Sequence, residues 1–234
     1  MPAPEGAGAG TAPRDSERAA PPQPLASGPA PERPDAGQVR AMFDRIASVY
    51  DLMNTAMTAG LHHRWRARAA ELADVAPGSR VLDVATGTGD LALELARRVS
   101  PGGEVVGSDF APAMLARARA KASARAAGVA PRFELADALA LPYPDDSFDA
   151  ATVAFGVRNF SDLPAGLAEM ARVVRPGGRV VVLEITTPTR APLSLFYRLW
   201  FDRAVPLLGR AAGVLARRSA RADGGAIAAA YSYL

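Results

Sequence analysis

The sequence has 234 residues, of which 49% are hydrophobic and 22% charged, with a formal net charge of +3; this composition is typical of a globular protein with one domain-sized core. It contains no cysteine, so disulfides, thiolate catalysis and cysteine-based metal sites are excluded. The sequence has neither an apolar run long enough for a membrane-spanning helix nor an apolar signal segment at its start, and its small net charge does not indicate nucleic-acid binding.

The first 36 residues are rich in proline and lack a periodic apolar face. Nine of the 20 prolines lie here, among glycine, serine and charged residues of both signs. Such a segment cannot bury enough apolar surface to offset the entropy lost on ordering. We therefore predict a disordered tail over residues 1–36 and one folded domain over residues 37–234.

The domain begins with residues at helical spacing. Met42, Phe43, Ile46 and Val49 predict a first helix, and residues 64–73 predict a second, within an N-terminal helical segment that spans residues 37–75. We expect this segment to lie on the substrate side of the domain.

Strands and helices then alternate. Short apolar segments predict strands at residues 81–84, 104–108, 132–135, 148–154 and 179–185. The segments between them predict helices at residues 91–99, 112–127 and 163–174. This alternation predicts βαβ units, and therefore a Rossmann-like α/β fold with a doubly wound, mainly parallel sheet and helices on both faces.

The alternation ends after residue 185. The sequence predicts a helical C-terminal segment over residues 186–234, with an aromatic cluster at 196–201 and no sixth or seventh strand. Six arginines lie between Arg198 and Arg221, with Asp202 as the only acid among them. They could contact phosphate groups or anionic lipid, or they could form a solvated helical face. The aromatic cluster fits either a lid over a ligand or ordinary core.

A glycine turn follows the first predicted strand, at the place where doubly wound folds bind ligands. Gly87 and Gly89 can adopt positive φ and let a ligand approach the backbone, and the next helix offers free N–H groups to a carboxylate. The same segment also fits the loose dinucleotide pattern, so an NAD-dependent oxidoreductase remains an alternative. Asp83 favours S-adenosylmethionine, because a carboxylate suits a ligand with an ammonium and a sulfonium and would repel a pyrophosphate.

Two further acids follow strands at the same edge. Asp109 ends the second strand, where its carboxylate can accept both ribose hydroxyls, and Asp137 follows the third, where it can meet an adenine edge beside the N–H of Ala138. For each acid the alternative is a helix N-cap. The two histidines, His62 and His63, have no other metal ligands near them in the sequence, so we expect no metal.

Several motifs resemble one family. Tyr50 to Trp65 fits Y-D-x-M-N…G-x-H-x-x-W, and Arg172 to Glu184 fits R-V-x-[KR]-P-G-G followed by an apolar strand and an acid. Between them lie residues 141–149 and 155–159, which also match. The chain thus resembles the class I C-methyltransferases of menaquinone and ubiquinone biosynthesis over residues 38–200.

The resemblance implies a set of cofactor contacts. These fall on Thr88, Asp109, Asp137 and Ala138, and on the position of Ala154, where relatives often carry serine. Relatives also continue past a Tyr-x-Tyr-Leu segment, here residues 231–234, into a helix and two strands that this sequence lacks. We therefore expect the fifth strand to be an exposed edge.

The resemblance also implies a reaction. A methyl group would pass from S-adenosylmethionine to a ring carbon of a prenylated quinol, converting demethylmenaquinol to menaquinol or acting at the equivalent ubiquinone step, with no metal. The ring carbon becomes nucleophilic when a phenolic hydroxyl loses its proton. We predict His62 as the base, since its ordinary pKa is nearest neutrality. Tyr50 and Arg158 are predicted as further catalytic residues. The alternatives are that His62 packs within the N-terminal helices and that Arg158 is a surface residue.

We predict that Asn54 and Asn159 bind the quinol hydroxyls. The prenyl tail predicts an apolar channel or a peripheral membrane contact, and hence a cytoplasmic protein at the inner face of the membrane. Two alternatives remain, a class I methyltransferase acting on another small molecule and a non-catalytic protein that binds S-adenosylmethionine.

Overall fold

The computed structural model describes residues 36–47, 50–125, 128–186, 190–191 and 195. Its helices are α1 (Ala36–Ile46), α2 (Tyr50–Thr58), α3 (Leu61–Leu72), α4 (Asp90–Val99), α5 (Pro112–Ala124) and α6 (Leu163–Val173), with a 3₁₀ turn at Val157–Asn159. Its strands are β1 (Arg80–Val84), β2 (Glu104–Asp109), β3 (Arg132–Leu135), β4 (Phe148–Ala154) and β5 (Val174–Leu183). The predicted tail and the predicted cluster at 196–201 lie outside the described residues.

The five strands form one parallel sheet in the order β3-β2-β1-β4-β5. The chain winds from β1 to β3 on one side and then returns to place β4 against the other side of β1. This confirms the predicted doubly wound α/β fold. Among the described residues β5 has a strand partner on one side only, as expected for an edge.

Helices cover both faces because the strands are apolar on both sides. One buried cluster joins β1 and β2 to the alanines of α3 and the apolar residues of α4 and α5. A second joins the opposite face to α6 through Met170 and Val173. A third packs α1 on the start of α5, where Phe43 and Ile46 meet Met114.

Two elements differ from the prediction. The sequence did not predict α2 as a separate helix, because residues 50–58 mix polar and apolar side chains without a clear stripe. The fifth strand begins five residues early, at Val174, because Val174 pairs with Phe148 before an irregularity in the register. Within the described part of the chain, no helix is long and apolar enough to cross a membrane.

Candidate active site

A cleft opens at the carboxyl ends of β1, β2 and β4, beside the switch point between β1 and β4. It has a volume of about 1000 Å³ including its open mouth. Apolar side chains from α1 and α5 form one wall, and the residues that follow the strands form the floor. The lining residues are Val39, Phe43, Tyr50, Val84, Ala85, Gly87, Ser108, Asp109, Phe110, Met114, Ala136, Asp137, Ala138, Leu139, Ala154, Phe155, Gly156, Asn159, Phe160 and Ser161.

The glycine turn has the predicted backbone. Gly87 has φ of 56° and Gly89 has φ of 82°, which glycine adopts without a steric cost. Gly89 is also confined in space, since a Cβ atom there would lie 2.9 Å from the Phe133 ring. The turn therefore depends on glycine at position 89 for two independent reasons.

Asp83 lies beneath this turn instead of in the cleft. Its carboxylate is buried and accepts hydrogen bonds from Thr86 Oγ1 at 2.6 Å and Thr152 Oγ1 at 2.8 Å. Burial raises the pKa of Asp83 to about 6, although the two threonine hydrogen bonds oppose that shift. Among the residues described, Asp83 anchors the turn and is absent from the cleft lining, so its direct contact with a cationic ligand stays a prediction.

Asp109 lies in the cleft, as predicted. Its Oδ2 accepts from the N–H of Gly87 at 2.8 Å and its Oδ1 accepts from the N–H of Ala111 at 2.9 Å. Burial raises the pKa of Asp109, while these backbone hydrogen bonds lower it. The carboxylate is fixed in orientation, and each oxygen keeps lone-pair capacity for a ribose hydroxyl.

Asp137, Ala138 and Ala154 also line the cleft. Asp137 accepts the N–H of Leu139 at 2.9 Å, so it closes a tight turn after β3. Asp137 therefore does cap a backbone N–H group locally, as the alternative predicted, but it caps a turn and not a helix. The turn exposes Ala138 along the cleft, next to Asp137.

Thr88 is buried away from the cleft, in a cluster of charged side chains that the sequence did not reveal. Its hydroxyl donates to Asp51 Oδ1 at 2.6 Å and accepts from Lys121 Nζ at 2.9 Å. Lys121 also pairs with Asp51 at 2.8 Å and Asp90 at 2.7 Å. Burial alone would raise the pKa of Asp90, but Lys121 holds it below its ordinary value. We call Asp51, Thr88, Asp90 and Lys121 the Lys121 cluster.

The N-terminal helices supply Tyr50 to the cleft. Its ring packs edge-on against Phe43, with ring centroids 6.2 Å apart. Burial raises the pKa of the hydroxyl, which is hydrogen-bonded to the side chain of Asn54. Tyr50 is therefore a neutral hydrogen-bonding group at neutral pH, and Asn54 orients it from behind, outside the cleft lining.

His62 lies between α2 and α3, fully buried and outside the cleft lining. The Arg66 guanidinium donates to Nδ1, so Nε2 carries the proton and donates to Thr55 Oγ1 at 3.2 Å. Burial and the nearby Arg66 charge lower the pKa of His62 to about 4. The geometry therefore argues against His62 as the base: its only lone pair is already used, and it fits the packing alternative.

Arg158 and Asn159 lie in the 3₁₀ turn after β4. Asn159 lines the cleft, while Arg158 forms an ion pair with Glu184, directly after β5. Phe155, between β4 and this turn, has φ of 58°, a costly conformation for a phenylalanine. Its N–H donates to the Leu183 carbonyl at 2.8 Å, which joins the ends of β4 and β5 at the cleft floor.

The structure thus brings together about half of the predicted residues. Tyr50, Gly87, Asp109, Asp137, Ala138, Ala154 and Asn159 share one cleft, whereas Asn54, His62, Asp83, Thr88, Gly89 and Arg158 support it from outside the lining. The residues that sequence reasoning missed are Asp51, Asp90, Lys121 and Glu184. Asp51 and Glu184 stand within the motifs quoted above, but nothing in the motifs shows their partners. Among the described residues, no group of three or more His, Asp or Glu side chains could hold a metal.

Comparison with known proteins shows the family of the chain. Residues 32–218 match the ubiE/COQ5 methyltransferase family. A Thermus thermophilus protein named demethylmenaquinone methyltransferase is 55% identical over 168 residues, which cover 72% of this chain and 75% of that protein. A Geobacter sulfurreducens protein named ubiquinone/menaquinone biosynthesis C-methyltransferase UbiE is 44% identical over 172 residues, covering 74% of this chain and 67% of that protein.

A solved structure has a similar fold. The [4+2]-cyclase SpnF superposes with a TM-score of 0.57 at 27% sequence identity. The superposition covers 67% of this chain and 62% of SpnF.

Proposed function

The chain belongs to the ubiE/COQ5 methyltransferase family, and on that premise we propose that it transfers a methyl group from S-adenosylmethionine to a ring carbon of a prenylated quinol. The observation that carries the proposal is the cleft, in which a fixed carboxylate at Asp109 faces the same space as Tyr50 and Asn159. The Asp109 carboxylate suits the ribose of a nucleoside, and Tyr50 with Asn159 suits a polar aromatic ring.

The residues present fit S-adenosylmethionine. Asp109 would accept the ribose hydroxyls, the Asp137–Ala138 turn would meet the adenine, and the N-terminus of α4 would face the methionine carboxylate. The cofactor supplies a methyl group on a positively charged sulfur. Asp83 contributes through the turn that it anchors.

The chain's own residues would prepare the acceptor ring. Tyr50 and Asn159 would bind its hydroxyls, and Arg158 would stabilise the phenolate by its positive charge. The apolar wall formed by Val39, Phe43 and Met114 would exclude water and hold the ring. Orientation of two reactants in such a site is worth about 7–11 kcal/mol of barrier. The proposal does not assign the general base to His62, because its buried position and its contact with Arg66 argue against that role.

We propose demethylmenaquinol as the substrate, since the 55% identical relative is named for that reaction. The shared motifs and relatives favour a quinol methyltransferase over the two alternatives, another small-molecule methyltransferase or a non-catalytic binding protein. They equally disfavour the dinucleotide oxidoreductase.

The prenyl tail leads us to propose peripheral contact with the inner face of the cytoplasmic membrane. Leu61 and Trp65 are four residues apart on one face of α3, and both are exposed, as is Leu52 on α2. Trp65 also packs against Phe155 of the cleft lining, and exposed apolar side chains are suited to an apolar surface. Co-sedimentation with anionic vesicles at low and high salt tests this; absence of binding in both would refute it.

The reaction itself is tested in two steps. Calorimetry should show binding of S-adenosylmethionine and none of NADH. Radiolabelled methyl transfer should then occur to demethylmenaquinol and be absent with the oxidised quinone. If the protein binds NADH but not S-adenosylmethionine, the proposal fails at the first step. If it binds S-adenosylmethionine but transfers no methyl group, the proposal fails at the second step.

A further inference from the structure

Two buried oxygen atoms near the cleft have no hydrogen-bond donor among the residues that the structure describes. They are Oδ1 of Asn159 and Oε2 of Glu184. Buried polar atoms in proteins are nearly always paired, so each such atom requires an explanation. The two belong to neighbouring strand ends, since Asn159 follows β4, Glu184 follows β5, and Arg158 links them.

The remaining atoms of this group hold the carboxylate in place. Glu184 Oε1 pairs with Arg158 and accepts the N–H of Ile185 at 2.9 Å. Only Oε2 is therefore left for a ligand. A carboxylate can accept hydrogen bonds but, when ionised, cannot donate them.

The two unpaired atoms are both acceptors, so their missing partners are donors. A hydroquinone carries two O–H donors, whereas the corresponding quinone carries only carbonyl acceptors. A carbonyl placed against Glu184 Oε2 would leave both oxygens unpaired, and their lone pairs would face each other.

We propose that Glu184 and Asn159 form an acceptor pair that selects the reduced form of the ring substrate, with Glu184 as its specificity-determining residue. This inference rests on the proposed function and adds to it the residues that recognise the reduced ring. The selection has chemical value, because only the reduced ring is electron-rich enough to attack a methyl group. Arg158 has a second role here, as the residue that positions Glu184.

The test compares binding of 1,4-naphthoquinol, kept reduced with dithionite, with binding of 1,4-naphthoquinone. Both are measured on the full chain in the presence of S-adenosylhomocysteine. The wild type should bind the quinol about tenfold to a hundredfold more tightly, which is what a hydrogen bond to a charged group contributes. Glu184→Gln should reduce this ratio to about threefold or less, because the amide can turn its NH₂ group to a carbonyl.

Controls separate selection from a structural role. Glu94→Gln is matched, since Glu94 also pairs with an arginine and its side chain is 23% exposed against 17% for Glu184. It should leave the ratio unchanged. Glu184→Asp keeps an acceptor-only group and should retain most of the preference for the quinol. This variant also provides the test if Glu184→Gln fails to fold.

Each outcome is informative. If the wild type methylates demethylmenaquinol but Glu184→Gln binds both ring forms with the wild-type ratio, the inference is wrong and the proposed function stands. If the wild type shows no preference for the quinol, the inference is also wrong. If the wild type takes up S-adenosylmethionine but methylates no quinol, the proposed function fails and the inference fails with it.

Discussion

Lys121 is the only lysine in the sequence, and replacing it with methionine should destabilise the domain. Its side chain is 18% exposed, Asp90 is 10% exposed and Asp51 is 39% exposed. Removing one member of a buried charge pair costs about 3–5 kcal/mol, because the partner is left uncompensated. Solvent screens Asp51, and Arg66 still lies 3.9 Å from Asp90. We therefore expect a loss of about 2–3 kcal/mol, or about 5–10 °C in Tm.

The assay is urea unfolding of Lys121→Met, Asp51→Asn and the double variant. Lys121 and Asp51 contact each other and Thr88. The sum of the stability losses of the two single variants should therefore exceed the loss in the double variant by about 1 kcal/mol or more. Arg97→Met is the control, since Arg97 is 68% exposed and pairs with Glu94 on one helix. It should cost less than about 0.5 kcal/mol. Equal losses at positions 97 and 121, or strictly additive effects of the cycle, would refute the reasoning.

Four further variants test the site. Burial raises the pKa of Asp83 from 3.8 to about 6, so the wild type loses stability as pH rises through that window. The unfolding free energy of Asp83→Asn minus that of the wild type, measured with urea, should therefore rise by about 3 kcal/mol from pH 3.5 to pH 7. A difference that stays constant with pH would contradict this. Asp109→Asn should weaken S-adenosylmethionine binding at least about tenfold by calorimetry, since a charged acceptor is lost; an unchanged Kd would exclude the ribose contact. Gly89→Ala should cost about 2 kcal/mol or more in unfolding, from its positive φ and the Phe133 contact, and a neutral effect would show that the turn relaxes. His62→Gln should keep kcat within about threefold, whereas a hundredfold loss would restore His62 as a base.

The sequence predicts the sheet well because each strand is a short apolar run between strong turn signals. All five strands were placed within about five residues, and β3 and β4 have the predicted limits. The sequence does not predict the α2 helix, because its distinctive contacts are made by polar side chains. Asp51 faces Thr88 and Lys121, which are distant in sequence, and such contacts leave no periodic pattern.

The site was predictable where backbone geometry dictates it. The turn requires glycines at positive φ, and the ligand-binding edge of the sheet requires an acid at the end of β2. The sequence predicts both. Which way a side chain faces is decided by neighbours that sequence spacing does not reveal. Asp83 and Asp109 both lie near the carboxyl ends of strands, yet Thr86 and Thr152 enclose the carboxylate of Asp83 while that of Asp109 opens to the cleft. The ordinary pKa of histidine suits a base, but burial and the charge of Arg66, one helical turn away, lower the pKa of His62.

The α2 helix links the two halves of the site through adjacent residues. Tyr50 lines the cleft, and Asp51, the next residue, accepts from Thr88 on the glycine turn and pairs with Lys121 on α5. Successive residues of a helix point about 100° apart, so fixing Asp51 on the turn also fixes where the Tyr50 hydroxyl can lie. The glycine turn and the position of Tyr50 are therefore not independent, and the Lys121 cluster couples them. Such an arrangement explains why buried charges, costly for stability alone, stand at this position of the domain.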